Sequence, residues 1–166
     1  ESHAAYGYYT SPFNNAAVVV LDSIGEFDTF TIWHGHGDKI EKRHATRYPN
    51  SVGLFYSAMT QRCGFKANAE EHKLEQLATK GNWRKHHRIM MEEIIDKRFP
   101  FKTRENLHRG CNWWRPELKS EQELIDIGAS TQEAFERMMM RISTSASFKL
   151  PSKNLVLTGG CALNKL

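Results

Sequence analysis

An unbroken run of small and β-branched apolar residues at positions 16–21 constrains the fold most strongly. A continuous run of this kind is the pattern of a strand that is buried on both faces. Residues 27–33 alternate with threonine and predict a second strand that forms a hairpin with the first. Residues 39–48 predict a third strand, after a turn marked by Gly35 and Gly37.

The hydrophobic period changes to that of a helix in the next part of the chain. Helices are predicted over residues 51–64, 69–79, 84–96 and 120–143, the last beginning at a Ser-Glu-Gln-Glu capping-box pattern. Residues 3–9 predict the end of a further helix, and residues 154–157 a last strand that leads into a glycine turn. The order of β-hairpin strands, then helices, then a further strand predicts a mixed α/β fold.

The composition excludes several classes of protein. The chain has 166 residues, of which 40% are hydrophobic and 25% charged, and this fits one domain with a core. No stretch approaches the roughly 20 apolar residues of a membrane span. Three cysteines (Cys63, Cys111 and Cys161) without a CxxC pair argue against a disulfide framework and favour a cytoplasmic location. The net charge of +4 permits phosphate binding without demanding it.

The first candidate site is the turn after the buried strand, which contains Asp22, Gly25 and Thr29. An acidic residue at the end of a buried strand is held at the sheet edge, where α/β proteins bind their ligands. Gly25 allows a tight turn whose N–H groups approach a phosphate, and Thr29 adds a hydroxyl donor. An ordinary hairpin turn, in which these residues satisfy the backbone, is the alternative interpretation.

The second candidate site is the glycine turn after the last strand, within residues 155–164. Gly159 and Gly160 would let a nucleotide lie against bare backbone, and Asn164 could hydrogen-bond a ribose or a base edge. A strand-to-helix turn that binds nothing explains the same residues equally well.

His3 and a basic run complete the candidates. A histidine near a helix end is a metal ligand in one interpretation and a structural residue in the other. Residues 83–88 are basic, and Trp113 and Trp114 could stack on single-stranded nucleic acid. Because acidic residues dilute this charge, we expect a solvated helix face and no nucleic-acid binding.

Five segments occur in a distinctive order. They are residues 2–13 (His-Ala-Ala, then Tyr-Tyr-Thr-Ser-Pro-Phe), 20–26 (Val-Leu-Asp-Ser-Ile-Gly-Glu), 48–65, 71–81 and 157–164 (Leu-Thr-Gly-Gly-Cys-Ala-Leu-Asn). Together they resemble the O-carbamoyltransferases of the nodulation-protein and antibiotic type. The resemblance covers both ends and the first half of the chain, whereas residues 82–150 are not distinctive.

The resemblance implies an actin/hexokinase-like (ribonuclease H-like) ATPase fold, related to the enzymes that attach threonylcarbamoyl to tRNA adenosine. It implies that carbamoyl phosphate and ATP give a carbamoyl-adenylate, whose carbamoyl group passes to a hydroxyl of a small-molecule acceptor. It also implies a divalent metal, usually iron, held in part by His3 and Asp22. The nucleotide-binding residues that it implies are Gly25, Thr29, Gly159, Gly160 and Asn164.

Departures from the family pattern shape the expected organisation. Ser23 stands where the family has a glycine after the aspartate, which narrows phosphate access. The first metal histidine would precede Glu1, and a later metal aspartate and the adenylate-forming domain would follow Leu166. We therefore expect a single partial domain over residues 1–166, truncated at both ends, inactive alone and prone to self-association at its open sheet edge. A nucleotide- or partner-binding module of the same fold, without catalysis, is the alternative.

Overall fold

The structure, a computed structural model, describes residues 1–23, 27–96 and 102–166. Its helices and strands are α1 (Ser2–Tyr9), β1 (Asn15–Leu21), β2 (Asp28–His36), β3 (Lys39–Arg47), α2 (Val52–Arg62), α3 (Glu71–Ala78), α4 (His87–Glu93), β4 (Ile95–Asp96), β5 (Lys102–Thr103), α5 (Glu121–Lys149) and β6 (Leu155–Thr158). Short 3-10 helices cover Leu107–Arg109 and Gly160–Leu163. The predicted mixed α/β class is confirmed.

Four strands form one mixed sheet in the order β3-β2-β1-β6. β1 pairs antiparallel with β2, and Leu21 lies opposite Phe30 at the carboxyl end of β1. β1 also pairs parallel with β6, and Val20 lies opposite Thr158 at the same end. Because β1 has a neighbour on each side and is buried along almost its whole length, the two-faced burial predicted for it is confirmed. The chain segments after β1 and after β6 therefore leave the sheet side by side.

One face of the sheet carries α1. Ala4 and Tyr8 of this helix pack with Val18, Val20 and Trp33 in a buried apolar cluster. The helix is short and its buried side chains are spaced by one turn, so it presents a single face to the strands. This packing fixes the first turn of α1 beside the carboxyl end of β1.

The predicted turn at Gly35 is wrong, because β2 continues to His36. Gly35 pairs with Ala16 inside the hairpin. A Cβ at this position would lie 2.7 Å from Cγ of Tyr8, so the strand needs a glycine where the tyrosine ring crosses it. The turn to β3 begins at Gly37, which has a φ of +57°.

The helix predicted over residues 84–96 is too long at both ends. Its first residues form a turn, in which the Asn82 side chain accepts a hydrogen bond of 3.1 Å from the backbone N–H of Arg84. At the other end, Ile95 and Asp96 leave the helix and pair with β5, in a small antiparallel sheet that the sequence did not predict. The helix that remains is α4.

The longest helix extends beyond its predicted end at residue 143 and reaches Lys149. Ile142, Ala146 and Leu150 continue a four-residue spacing of buried side chains, which keeps this last part on a core. The predicted capping box at its start is confirmed. The backbone N–H of Ser120 donates to the Glu123 carboxylate at 2.9 Å, and the N–H of Glu123 donates to Oγ of Ser120 at 3.3 Å.

Contacts divide the described residues into two units. The first comprises Glu1–Gly53 and Met139–Leu163, and it contains the mixed sheet and α1. The second comprises Leu54–Met138 and Asn164–Leu166, and it contains most of α2, with α3, α4 and the first part of α5. In the second unit the rings of Tyr56 and Phe135 lie 5.0 Å apart. Within the described ranges, no helix combines the length and apolar character needed to cross a membrane.

Candidate functional site

Asp22 lies directly after β1 and joins three elements of the first unit. Its Oδ2 lies 3.0 Å from Nδ1 of His3, in the first turn of α1. Its backbone N–H donates to the carbonyl of Thr29 on β2 at 3.1 Å. Its Oδ1 accepts a hydrogen bond of 3.2 Å from the backbone N–H of Gly160, after β6. All four are predicted site residues, and the structure brings them together.

The glycine turn after β6 approaches Asp22 closely. Gly159 has a φ of +96°, and a Cβ there would lie 2.9 Å from Oδ1 of Asp22. A side chain at Gly159 would thus meet both backbone strain and a steric clash. At Gly160, by contrast, a Cβ would meet nothing within 4 Å. The backbone of Gly160 therefore borders open space, as expected where a ligand lies against a bare main chain.

Ser51 supports the end of β1, and the sequence did not mark it as a site residue. This fully buried side chain donates to the carbonyl of Ser23 at 2.6 Å and to that of Asp22 at 3.2 Å. A Cβ on Gly53 would lie 2.6 Å from Cα of Ser23, so the start of α2 packs directly on the segment after Asp22. A serine before a predicted helix suggests a cap for that helix. The sequence pattern does not show that the hydroxyl of this serine binds a backbone carbonyl 28 positions earlier.

Thr29 lies at the start of β2, where its side chain is buried. Its hydroxyl donates to the carbonyls of Thr46, at 3.2 Å, and of Asn50. A hydroxyl carries only one proton, so this donor is shared between two backbone acceptors. The geometry describes a residue that secures the strand, and nucleotide binding by Thr29 stays a prediction.

Two predicted nucleotide residues remain, Asn164 and Gly25. Asn164 belongs to the second unit, where its amide exchanges hydrogen bonds of 2.9 and 3.1 Å with the amide of Gln132. The same Gln132 oxygen accepts a bond of 2.8 Å from Tyr56, whose pKa is raised by burial. Gly25 lies outside the described residues. The roles predicted for Asn164 and Gly25 stay predictions.

A cavity of about 830 Å³ opens between the first turn of α1 and the sheet. Val20 and Thr31 of the sheet line it, and so do His3 and Asp22. The His3 side chain is 60% exposed and that of Asp22 is 21% exposed, so both reach solvent in the cavity. Cys161 is the next residue after Gly160, and burial raises the pKa of its thiol to about 12, with a smaller contribution from Asp22. It is therefore a neutral thiol near pH 7 and not an activated nucleophile.

The cavity also carries two cations that the sequence did not single out. Nζ of Lys42 lies 2.9 Å from Oδ2 of Asp28, and Nε of Arg47 lies 3.8 Å from Oδ1 of the same carboxylate. The Lys42 ammonium also lies 5.0 Å from the centre of the Trp33 ring. Lys42, Arg47 and Asp28 all line the cavity. One carboxylate thus faces two cations, which leaves a formal charge of +1 on this group of three.

The donor types at His3 and Asp22 fit a divalent first-row metal, which binds imidazole nitrogen and carboxylate oxygen. Nδ1 of His3 is engaged by the carboxylate, so Nε2 is the ring nitrogen that is left for a ligand. Among the described residues, no group of three or more His, Cys, Asp or Glu side chains could hold a metal ion. The pair fits part of a metal site by its chemistry but does not complete one.

A mixed sheet that ends in a histidine–carboxylate pair beside a bare glycine turn defines an α/β protein with a candidate ligand site at the ends of β1 and β6. Comparison with protein families identifies the particular class. Residues 1–166 match the family described as Carbamoyltransferase N-terminus, and the chain belongs to this family. The family suggested by the five sequence segments is confirmed.

Two curated proteins are similar to the chain along almost its whole length. It is 32% identical to the uncharacterized protein sll1178 of Synechocystis sp., over 99% of the chain and 29% of that protein. It is 25% identical to the nodulation protein NolNO of Sinorhizobium fredii, over 98% of the chain and 25% of that protein. The chain thus spans between a quarter and a third of the length of these relatives.

Proposed function

We propose that this chain takes part in carbamoyl transfer from a carbamoyl-adenylate, formed from carbamoyl phosphate and ATP, to a hydroxyl of a small-molecule acceptor. In this reaction the acceptor oxygen forms a bond to the carbamoyl carbon, and the bond from that carbon to the phosphate oxygen of AMP breaks. The hydroxyl proton leaves, and the products are an O-carbamoyl ester and AMP. The proposal applies to the protein at its full natural length.

The observation that carries the proposal is the junction at Asp22, in a chain that belongs to the carbamoyltransferase N-terminus family. A single carboxylate contacts His3 of α1 and the N–H of Gly160 after β6. These are the residues to which the sequence resemblance assigns the metal and the nucleotide. Their convergence on one carboxylate supports a shared site for both.

Each residue of the junction would have a separate task. Asp22 would orient the imidazole of His3 through the 3.0 Å contact, because a fixed carboxylate sets both the ring angle and the tautomer. Gly160 would let the nucleotide approach the main chain through the open space beside it, and Gly159 would keep the turn close to Asp22. Ser51 would keep the end of β1 rigid through its two carbonyl contacts. A rigid support keeps the junction at the geometry that the reaction needs.

A divalent metal, iron in the usual case for the family, would be held by His3 and Asp22 together with further donors and would polarise phosphate and carbonyl oxygens. We further propose that the four-stranded sheet is part of an actin/hexokinase-like, or ribonuclease H-like, ATPase fold. The order β3-β2-β1-β6, with two antiparallel pairs and one parallel pair, supports this assignment. Adenylate formation would belong to a separate C-terminal domain, as the resemblance implies.

The first prediction tests the junction by substitution in the full-length protein. His3→Gln and Asp22→Asn should each lower the rate of carbamoyl ester formation by about 10- to 100-fold, as loss of a metal ligand or its orienting partner does. Pyrophosphate release, which reports adenylate formation from ATP and carbamoyl phosphate, should stay near the wild-type rate. The measurement is the yield of radiolabelled carbamoyl ester across a panel of hydroxyl compounds, with pyrophosphate followed in parallel.

Matched controls separate a site effect from a folding effect. His36→Gln changes a histidine at the far end of β2 that does not line the cavity, and Asp38→Asn changes an exposed aspartate in the turn before β3. Both should leave ester formation unchanged. If the His3 and Asp22 variants behave like these controls, the transfer site lies elsewhere. If the wild-type protein binds ATP yet carbamoylates nothing in the panel, a nucleotide-binding module without catalysis replaces the proposal.

A further inference from the structure

The β2–β3 pair contains an irregularity that decides which side chains reach the cavity. Trp33 lies opposite Lys42 and Ile32 lies opposite His44, so Arg43 is an extra residue on β3. Such a bulge changes which face of the sheet the following side chains use. Directly opposed residues share a face, so Lys42 lies on the Trp33 side and His44 on the Ile32 side. The bulge thus assigns Lys42 to the α1 face, where the cavity is.

Lys42 is held at this position by two contacts of different kinds. Its ammonium is 5.0 Å from the centre of the Trp33 ring and 2.9 Å from Oδ2 of Asp28. The ring is almost fully buried and offers a fixed platform, whereas Asp28 lies at the cavity wall. A long cation that is fixed at two points loses little further freedom when it binds a ligand. Its side chain is still 44% exposed, so a ligand in the cavity can reach it.

The charges at this part of the cavity are unbalanced. Asp28 faces both Lys42 and Arg47, and the Arg47 contact is long, at 3.8 Å, with a side chain that is 79% exposed. These three residues belong to the same unit as Asp22 and Gly160. An anionic group in the cavity would compete with Asp28 for the two cations. Phosphoryl oxygens are strong acceptors for both ammonium and guanidinium groups.

We infer that Lys42, with Arg47, binds a phosphoryl group of the substrate in the His3–Asp22 cavity, and that Asp28 holds these cations in place until the ligand displaces it. The inference rests on the proposed function for the choice of a phosphorylated ligand. Carbamoyl-adenylate, the substrate of the transfer step, carries such a group, and ATP and carbamoyl phosphate present the same phosphoryl chemistry as probes of the site. Lys42 and Arg47 are then specificity-determining residues for the anionic part of the substrate.

Site-resolved acylation of lysines in the full-length protein tests this second prediction. The protein is treated with an acetylating reagent in the presence of increasing ATP or, separately, carbamoyl phosphate, and each lysine is followed by mass spectrometry. We expect one of the two ligands to slow acylation of Lys42 at least about fivefold, because charge-assisted hydrogen bonds cover the ammonium. Lys39, an exposed residue of the same strand that does not line the cavity, is the internal control and should not be protected.

Substitutions of Asp28 and Arg47 should change the ligand concentration that half-protects Lys42 in opposite directions. Asp28→Asn removes the competitor and should lower the ligand concentration that half-protects Lys42 by about threefold. Arg47→Gln removes the second cation and should raise it by about threefold to tenfold. In transfer assays Lys42→Gln should lower the rate of carbamoyl ester formation, whereas Lys42→Arg should keep that rate near the wild-type value. If the ion pair is purely structural, Asp28→Asn and Lys42→Gln should instead both lower the free energy of unfolding.

Failure of the inference can be distinguished from failure of the proposed function. If the protein forms carbamoyl ester but neither ligand protects Lys42, the phosphoryl contact is wrong and the proposed function stands. The phosphoryl contact is also wrong if Asp28→Asn weakens protection. If neither ligand binds the wild-type protein and no ester forms, both proposals are overturned.

Discussion

At the scale of single residues, Asp22 depends on neighbours of very different kinds. His3 and Gly160 contact its carboxylate, and Thr29 receives its backbone N–H. Buried Ser51 binds its carbonyl, so every polar group of this residue has a partner. A carboxylate with so many constraints is suited to positioning other groups.

The sequence placed candidate residues at two strand ends, and the structure brings them together, whereas their roles in binding stay predictions. Asp22 follows β1, and Gly159 and Gly160 follow β6, so both fall at the same end of two paired parallel strands. The sequence did not mark Lys42 or Ser51 as site residues. The position of Lys42 depends on a bulge in β3, and the partners of Ser51 depend on a loop that packs on the end of β1. Neither feature leaves a periodic signal in the sequence.

The third prediction concerns Gly35, which accommodates the ring of Tyr8. Gly35→Ala should lower the free energy of unfolding by about 1–3 kcal/mol, because a Cβ only 2.7 Å from Cγ of Tyr8 forces the buried ring to shift. The measurement is urea unfolding followed by circular dichroism.

Gly160→Ala is the matched stability control for this substitution, since a Cβ at Gly160 meets nothing within 4 Å. Its free energy of unfolding should stay within about 0.5 kcal/mol of wild type. If both variants lose the same free energy of unfolding, the effect comes from the flexibility of glycine and the contact with Tyr8 is not its cause.

At the scale of elements, the sequence predicted the types of the long elements better than their ends. β1 carries an unbroken apolar run, the second hairpin strand and α5 carry periodic patterns, and all three elements exist. The short β4 and β5 contribute two residues each and have no period to detect. α4 loses its first predicted turn because Asn82 forms a local turn that competes with the helix.

The fourth prediction belongs to the start of α5. Ser120→Ala should lower the free energy of unfolding by about 1 kcal/mol, because the free N–H of Glu123 loses the Ser120 oxygen. Hydrogen bonds from Ser120 also keep the pKa of Glu123 below its ordinary value, so the capping box contributes at neutral pH and weakens in acid. Chemical denaturation at pH 7 measures the loss.

Ser147→Ala provides the comparison, since it lies in the same helix at an exposed position. There alanine should be neutral or slightly stabilising, because serine has the lower helix propensity. A loss at Ser147 as large as that at Ser120 would mean that the serine hydroxyl acts without capping the helix.

At the scale of the whole molecule, the sequence indicated the class of fold but not the division into two units. That division follows contacts between segments far apart in the chain, such as residues 139–163 with the first 53. Hydrophobic periodicity is local and reports only which face of an element is buried. The family resemblance rested on five short segments, and the family match confirms the family itself.

The fifth prediction concerns acid stability and involves histidines of both units. Burial lowers the pKa of His34, His44, His86 and His87 below the ordinary value of 6.5. The unfolded chain therefore binds more protons than the native protein once the pH falls below about 6.5. The free energy of unfolding should be fully retained above that pH and should decrease between about pH 6.5 and 5, as measured by urea unfolding at several pH values.

A single substitution isolates one contribution to this pH dependence. His34→Gln removes a buried group that titrates while keeping a polar side chain near Oδ1 of Asn15, which lies 3.3 Å from the His34 ring. The difference in unfolding free energy between this variant and wild type should shift in favour of the variant as the pH falls from about 7.5 to 5. A difference that stays constant over this range would show that His34 acts through packing alone.

The hydrogen bond between Gly160 and Asp22 has a consequence for folding during translation. The two residues are 138 positions apart, and a ribosome that adds about 5–20 residues per second needs roughly 7 to 28 s to travel between them. During that interval the nascent β1 has no β6 beside it, and the carboxylate of Asp22 has no glycine turn to meet. The ribosome thus makes Asp22 early and Gly160 late. A pause in translation between them would prolong the exposure of the apolar edge of β1.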